Sequence, residues 1–192
     1  MRLFVAINFT EEMKDALCET IADLRDAARR GRYTARENLH LTLVFIGETN
    51  RADDALAVME DVATEAFPEP ILISLSEAGV FGGKGGDLHW VGVENTPALK
   101  TLADRLAAGL RAEGFAMEKR RFTPHITIGR EVVLDRAISQ RGERSEGVPD
   151  AVIRVRPARM QADRISLMRS DRVHGRMVYT EIGSVYCDHE RN

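Results

Sequence analysis

No apolar run in this 192-residue chain approaches the roughly 20 residues that a membrane-spanning helix requires. The start, Met1 to Phe9, is apolar but too short for a secretory signal. It runs into Glu11 and Glu12 instead of a small-residue cleavage site. A cytoplasmic protein without membrane contact is the expectation. Cysteine is scarce: Cys18 and Cys187 form no CxxC pair and join no metal-like cluster, so both read as reduced, structural thiols. The metal spacings HxH and HExxH are missing too. An excess of positive charge is also missing, since the net charge is −3, which excludes a general polyanion binder of the histone type.

What the chain does have is one short pattern used twice. Leu39-His40-Leu41-Thr42-Leu43 and Pro124-His125-Ile126-Thr127-Ile128 each place a His and a Thr at alternate positions of an apolar run, 85 residues apart. Residues i and i+2 of a β-strand point to the same face. Each copy therefore presents an imidazole and a hydroxyl side by side, with aliphatic side chains anchoring the other face. A polar pair in an otherwise buried strand costs stability unless it is hydrogen-bonded, so it calls for a reason. Two copies among five histidines, in the same apolar frame and in opposite halves, exceed what a chance tripeptide explains.

The other histidines lack the threonine partner. His89 reads as a strand residue or pocket wall, His174 as part of a turn, and His189 as part of the tail. Positive charge is uneven. Lys119, Arg120 and Arg121 precede the second motif and Arg130 follows it, while Arg154, Arg156, Arg159, Arg164, Arg169, Arg172 and Arg176 crowd the C-terminal quarter. A locally basic cleft in a mildly acidic protein suits a small anionic ligand or an RNA end.

Periodicity predicts the order βα–βα–ββ–α–β–βββ. Leu3 to Phe9 reads as a strand. A helix capped by Thr10 runs to about Arg30, with Met13, Leu17, Ile21, Leu24 and Ala28 on its buried stripe. Tyr33 to Glu37 is a short approach to the first motif strand, Leu39 to Ile46. The second helix, Ala52 to Ala66, turns Leu56, Met59, Val62, Ala63 and Ala66 inward. Ile71 to Leu75 and Leu88 to Val93 are strands, and the glycine-rich stretch from Gly79 to Gly86 reads as their hairpin connection, because it lacks Walker spacing and leads into no helix. Thr96-Pro97 starts a third helix that Gly114 stops. The second motif strand is Pro124 to Gly129. Ser139 to Pro149 is a polar loop, and Ala151 to Val155, Ala162 to Met168 and Arg176 to Ile182 are strand candidates, with Arg169 to Gly175 as a hairpin. Each half carries strand, helix and one His-x-Thr strand. That suggests two lobes of a single domain, 1–192, related by a pseudo-twofold axis around a cleft.

Histidine donates or accepts protons near neutral pH. Two in one cleft can act at once, one entering protonated and one neutral, which is what phosphodiester hydrolysis needs. Threonine hydroxyls can donate to the non-bridging phosphate oxygens, where charge must be held in the transition state.

With Asn38 before the first motif and Phe122-Thr123 before the second, the pair resembles the 2H phosphoesterase superfamily. Met1 to Ile7, Glu37-Asn38, Phe45-Ile46-Gly47-Glu48 and Leu167-Met168-Arg169-Ser170 are similar to its RNA 2′,3′-cyclic phosphodiesterases, also called 2′-5′ RNA ligases. The resemblance implies a bilobal α+β fold, with two pseudo-twofold antiparallel sheets lining a cleft and helices outside. It implies metal-independent hydrolysis of RNA or nucleotide 2′,3′-cyclic phosphate by a monomer that needs no cofactor. By the same carry-over, His40 would be the proton donor and His125 the proton acceptor, although the order could be reversed on the sequence alone. Thr42 and Thr127 would hold the phosphate. Arg130 matches an arginine of many relatives, yet strict alternation places it with Ile126 and Ile128; it reaches the phosphate only if the strand bends at or after Gly129. Phe122, Tyr33 and Phe81 are candidates for stacking on a base. Two departures stand out: Thr34-Ala35-Arg36, where relatives often have Val-Arg-Pro, and Phe122-Thr123-Pro124, where an arginine often precedes the proline.

Overall fold

Thr10 caps the first helix as its sequence requires, its hydroxyl accepting from the Met13 amide at 3.4 Å. In the computed structural model, which describes residues 1–118, 120–135 and 153–187, that helix, α1 (Glu11–Asp26), follows strand β1 (Arg2–Asn8) but stops four residues short of the predicted end. Ala28–Tyr33 is instead a strand, β2. Its sequence, Ala-Arg-Arg-Gly-Arg-Tyr, has no strong strand pattern. Pairing decides its state: Tyr33 lies opposite Gly129 and Arg32 opposite Arg130 on a neighbouring strand, so tertiary context overrides local propensity. A 3-10 turn, Arg36–Asn38, leads into β3 (His40–Glu48), the first motif strand.

The second helix, α2 (Ala52–Ala66), has the predicted bounds, but Ala55 replaces Leu56 among its fully buried positions. Leu56, like Val62 and Ala66, is half-buried against the core, and it packs also against Gly183, where an added Cβ would come within 2.6 Å of its Cδ2. Strands β4 (Ile71–Phe81) and β5 (Asp87–Val93) form the expected hairpin around the glycine-rich turn. The third helix, α3 (Pro97–Ala112), is capped by Thr96 and ends before Gly114, whose φ of +90° suits glycine. The second motif strand, β6 (His125–Leu134), outruns its predicted end by five residues. Of the strand expected over 151–155, the described residues 153–155 lie in no strand, and β7 (Arg159–Ala162) forms further on. Strands β8 (Arg164–Val173) and β9 (Arg176–Tyr186) are joined through His174 and Gly175, both at positive φ, a tight turn of the hairpin type. The polar loop expected at 139–149, with Lys119 and His189, lies outside the described residues.

All pairings between named strands are antiparallel. One sheet has the order β3-β1-β8-β9, the other β2-β6-β5-β4-β7. The two sheets are therefore not the two halves of the sequence, as the motif spacing suggested. The first is built from both ends of the chain and the second from its middle. The helices cross over as well: α1 packs on β2 and β6 of the second sheet, while α2 and α3 pack on each other and on β9 and β3 of the first. The first sheet turns Leu3, Val5, Ile7, Leu41, Leu43, Ile165 and Leu167 into the main core. Full burial of one such leucine contributes about 1.5–3 kcal/mol. The opposite face carries a small separate cluster of Phe4, Ala6 and Met168 with Tyr179 packed on it, and this is the face on which His40 stands.

Candidate active site

The two motif strands meet because the connection from β2 to β3 is short. Thr34 prolongs the pairing of β2: its amide donates to the Ile128 carbonyl at 3.0 Å and its hydroxyl to the Thr127 carbonyl at 2.8 Å. Within six residues the chain enters β3 at His40. The edge of one sheet is thus tethered to the second motif of the other, and Cα atoms of β3 and β6 come within 8 Å. Alternation holds in both motifs: Leu41 and Leu43, Ile126 and Ile128 are buried in the core, whereas His40, Thr42, His125 and Thr127 are half-buried on the opposite face.

Both imidazoles are held in the same way. His40 Nδ1 lies 2.7 Å from the carbonyl oxygen of Asn38, and His125 Nδ1 lies 2.8 Å from that of Thr123. A carbonyl only accepts, so in each ring Nδ1 carries the hydrogen and Nε2 is left for chemistry. His40 Nε2 faces the Thr42 hydroxyl at 3.0 Å. The ring of His40 packs on Phe4, 4.9 Å away, and on Tyr179, 5.1 Å away and edge-on at 89°, two rings that also touch each other at 5.2 Å. That apolar packing pushes the pKa of His40 below its ordinary 6.5, and the Asn38 carbonyl opposes the shift. His125 has its own aromatic neighbours, Phe81 at 5.7 Å and Trp90 at 6.3 Å.

Asn8, opposite His40 on β1, lies at the end of a polar network. Its amide donates to Ser166 Oγ at 3.1 Å and to Glu181 Oε2 at 2.9 Å, and the buried Ser166 hydroxyl donates to the same Glu181 oxygen at 2.6 Å. Sequence reasoning missed Asn8, Ser166, Tyr179, Glu181 and Trp90. For Asn8 there was a signal, since alternation from Phe4 and Ala6 puts it on the face of His40.

The weaker candidates separate. Next to Arg130 the strand is irregular, as a bend there would require. Pairing of β6 with both neighbours slips between Gly129 and Val133, and Glu131 adopts φ 53°. Arg130 is exposed and does not share the buried face of Ile126 and Ile128. Phe122 and Tyr33 pack half-buried against the core, and Arg25 stacks over the Tyr33 ring at 5.0 Å. Phe81 is different: it is 46% exposed and lies against Trp90 at 5.4 Å beside His125. Trp90 in turn lies flat over Gly79, where an added Cβ would come 2.0 Å from the indole. His89 is a strand residue on the core face with Val91 and Val93, not a cleft residue. The C-terminal arginines do not form one basic wall. Arg156 pairs with Glu19 and Asp23 of α1, Arg169 with Asp171, and Arg164 with Glu181. Among the described residues no three His, Cys, Asp or Glu side chains are grouped to hold a metal ion, and no helix is long and apolar enough to cross a membrane.

Two antiparallel sheets with paired His-x-Thr strands are the fold of the 2H phosphoesterases, with β2 as the strand that joins one motif to the other. The profile of the 2′-5′ RNA ligase superfamily matches residues 13–174, and the chain belongs to that family. Curated relatives named RNA 2′,3′-cyclic phosphodiesterase include one from Thermotoga maritima, 35% identical over 68% of this chain and 70% of its own length. Another, from Methanothermobacter thermautotrophicus, is 28% identical over 95% of this chain and 96% of its own. Among solved structures, a Thermus thermophilus protein matches with a TM-score of 0.76 and 25% identity over the whole of both chains. Escherichia coli LigT complexed with 3′-AMP matches at 0.71 and 25%, over 96% of this chain and 97% of that one.

Proposed function

We propose that this protein is a metal-independent RNA 2′,3′-cyclic phosphodiesterase in which His40 and His125 are the proton donor and acceptor. The observation that carries the reading is the matched fixing of the two rings: each Nδ1–H is committed to the carbonyl two residues earlier, which leaves Nε2 of both for chemistry on strands whose Cα atoms come within 8 Å. Family membership and the relatives' names support the substrate class.

In this mechanism the neutral His125 takes a proton from water at Nε2. The water oxygen attacks phosphorus opposite the 3′ oxygen. As the bond to that oxygen breaks, protonated His40 gives it a proton from Nε2, leaving a 3′-hydroxyl and a 2′-phosphomonoester. Thr42 and Thr127 donate to the non-bridging oxygens, and the exposed Arg130 adds a charged contact from the irregular stretch of β6. The exposed Phe81 ring, propped by Trp90, offers a stacking surface for a base; Phe122, packed on the core, is less suited to that role. With a 5′-hydroxyl in place of water, the same groups would take its proton, let its oxygen attack the phosphorus and protonate the departing 3′ oxygen, which gives a 2′-5′ link.

The test is hydrolysis of nucleoside 2′,3′-cyclic phosphates by wild type, His40→Ala and His125→Ala, assayed with chelator present. Each substitution should lower kcat by about 10²–10⁴-fold, the usual worth of general acid–base catalysis. Near wild-type turnover by either variant would sink the reading.

A further inference from the structure

Strands β3 and β9 are opposite edges of the first sheet. Even so, the sheet curls far enough for them to touch across its concave face. Tyr179 of β9 packs edge-on against His40 at 5.1 Å. The side-chain amide of Asn38, just before β3, donates to the Met177 carbonyl of β9 at 2.9 Å. Asn38 has every polar group but its amide oxygen assigned: its N–H closes the 3-10 turn on the Ala35 carbonyl at 2.9 Å, its carbonyl accepts from His40 Nδ1, and its Nδ2 reaches Met177. The near end of the turn is fastened separately, with Arg36 paired to Glu11 and Asp15 of α1. The far end, where the His40 acceptor sits, precedes the first β1–β3 pair, Asn8 with His40. Among the described residues, the hydrogen bond that ties it to the other edge of the sheet comes from the Asn38 side chain, beside the Tyr179–His40 ring contact.

We propose that Asn38 is a positioning residue: held by Met177, it aims the carbonyl that keeps His40 in the Nδ1–H form and so keeps Nε2 towards substrate. The catalytic consequence rests on the phosphodiesterase reading; the tautomer does not. A neutral imidazole can carry its hydrogen on either nitrogen, and the bond made by one nitrogen decides the state of the other. His125 needs no such tether. The residue after its acceptor, Pro124, is already pinned by the sheet, its carbonyl accepting from the Val93 amide at 3.2 Å. The two rings are thus held alike but supported differently, and removal of the Asn38 amide should loosen one and spare the other.

The experiment compares wild type, Asn38→Ala and Asn38→Asp by ¹⁵N NMR of the histidine rings in ligand-free protein, at a pH above their titration, alongside turnover of a nucleoside 2′,3′-cyclic phosphate. Asp has the shape of Asn but cannot donate to Met177. Both variants should show a population of Nε2–H tautomer at His40, with His125 unchanged. Both should lose about 10–100-fold in kcat with KM within a factor of two, as expected of a misplaced reacting group. A His40 ring that stays wholly Nδ1–H in folded variants overturns the proposal. Failure of both variants to fold does so as well, since Asn38 would then serve the sheet alone. If wild type turns over no cyclic phosphate, the phosphodiesterase reading fails while the tautomer result still decides the role of Asn38.

Discussion

Thr42 Oγ1 stands 3.0 Å from Nε2 of His40, the nitrogen left for chemistry once Nδ1 is committed to Asn38. In the neutral ring Nε2 has a lone pair, so the threonine hydroxyl donates to it. When the ring is protonated the direction reverses, and the hydroxyl hydrogen is released for another acceptor. In the proposed mechanism, donation from Thr42 to a phosphate oxygen costs this hydrogen bond while His40 is neutral and does not once His40 is charged, which couples phosphate binding to the protonation that a donor needs.

Thr42→Val removes the hydroxyl and keeps the branched shape. A hydrogen bond to a charged group contributes about 1.5–3 kcal/mol, so kcat/KM should fall by roughly 10–150-fold. Thr127→Val should fall by a similar amount. The two should differ in a double-mutant cycle. Thr42→Val combined with His40→Ala should cost clearly less than the two single losses together, because the groups act as a unit. Strict additivity in steady-state rates would break the proposed coupling.

The His-x-Thr geometry was legible because a strand repeats every two residues, so residue type and spacing alone put His and Thr on one face. The helix caps at Thr10 and Thr96 were legible for a similar reason, since local chemistry determines them. Strand β2 was not. Ala28 continues the helical stripe and Arg29 to Tyr33 carry no strand pattern, so pairing with β6 makes Ala28–Tyr33 a strand. Nor was the interleaving of the sheets, because nothing local shows that α1 leaves the sheet of β1 to cover the other. The Nδ1 acceptors at Asn38 and Thr123 were hidden for a simpler reason: every residue has a carbonyl, so residue type carries no signal. The irregularity of β6 beside Arg130 was not legible either: Glu131 there is left-handed, which a sequence gives no reason to expect.

The lowered pKa of His40 carries a sign for the pH dependence. As proton donor His40 must be charged in the free enzyme, so kcat/KM should fall as pH rises past a value below 6.5. A bound phosphate anion beside the ring favours the charged form and should raise its pKa in the complex. The alkaline limb of kcat should therefore lie at higher pH than that of kcat/KM. His40→Gln should abolish that limb. An acid limb with the same low pKa, lost in His40→Gln, would reverse the roles of the two histidines.

His89 bears on stability, not on rate. It is 1% exposed, and neither ring nitrogen has a hydrogen-bond partner among the described residues. Burial lowers its pKa below 6.5, and the charge of Asp87 opposes this only in part. Below pH 6.5 the unfolded chain takes up a proton that the folded chain still refuses. Stability is therefore fully present above about pH 6.5, declines as pH falls through the gap, and levels off once the folded ring is itself protonated. His40 adds to the decline in the same direction. His89→Leu removes the titrating group and two unsatisfied polar atoms from a site beside Val91 and Val93. An unsatisfied buried group costs about 1–3 kcal/mol, so the urea midpoint at pH 7 should rise, and its drop between pH 6.5 and 5 should shrink. An unchanged pH dependence in urea titrations of His89→Leu would show that the ring is not held neutral in the folded protein.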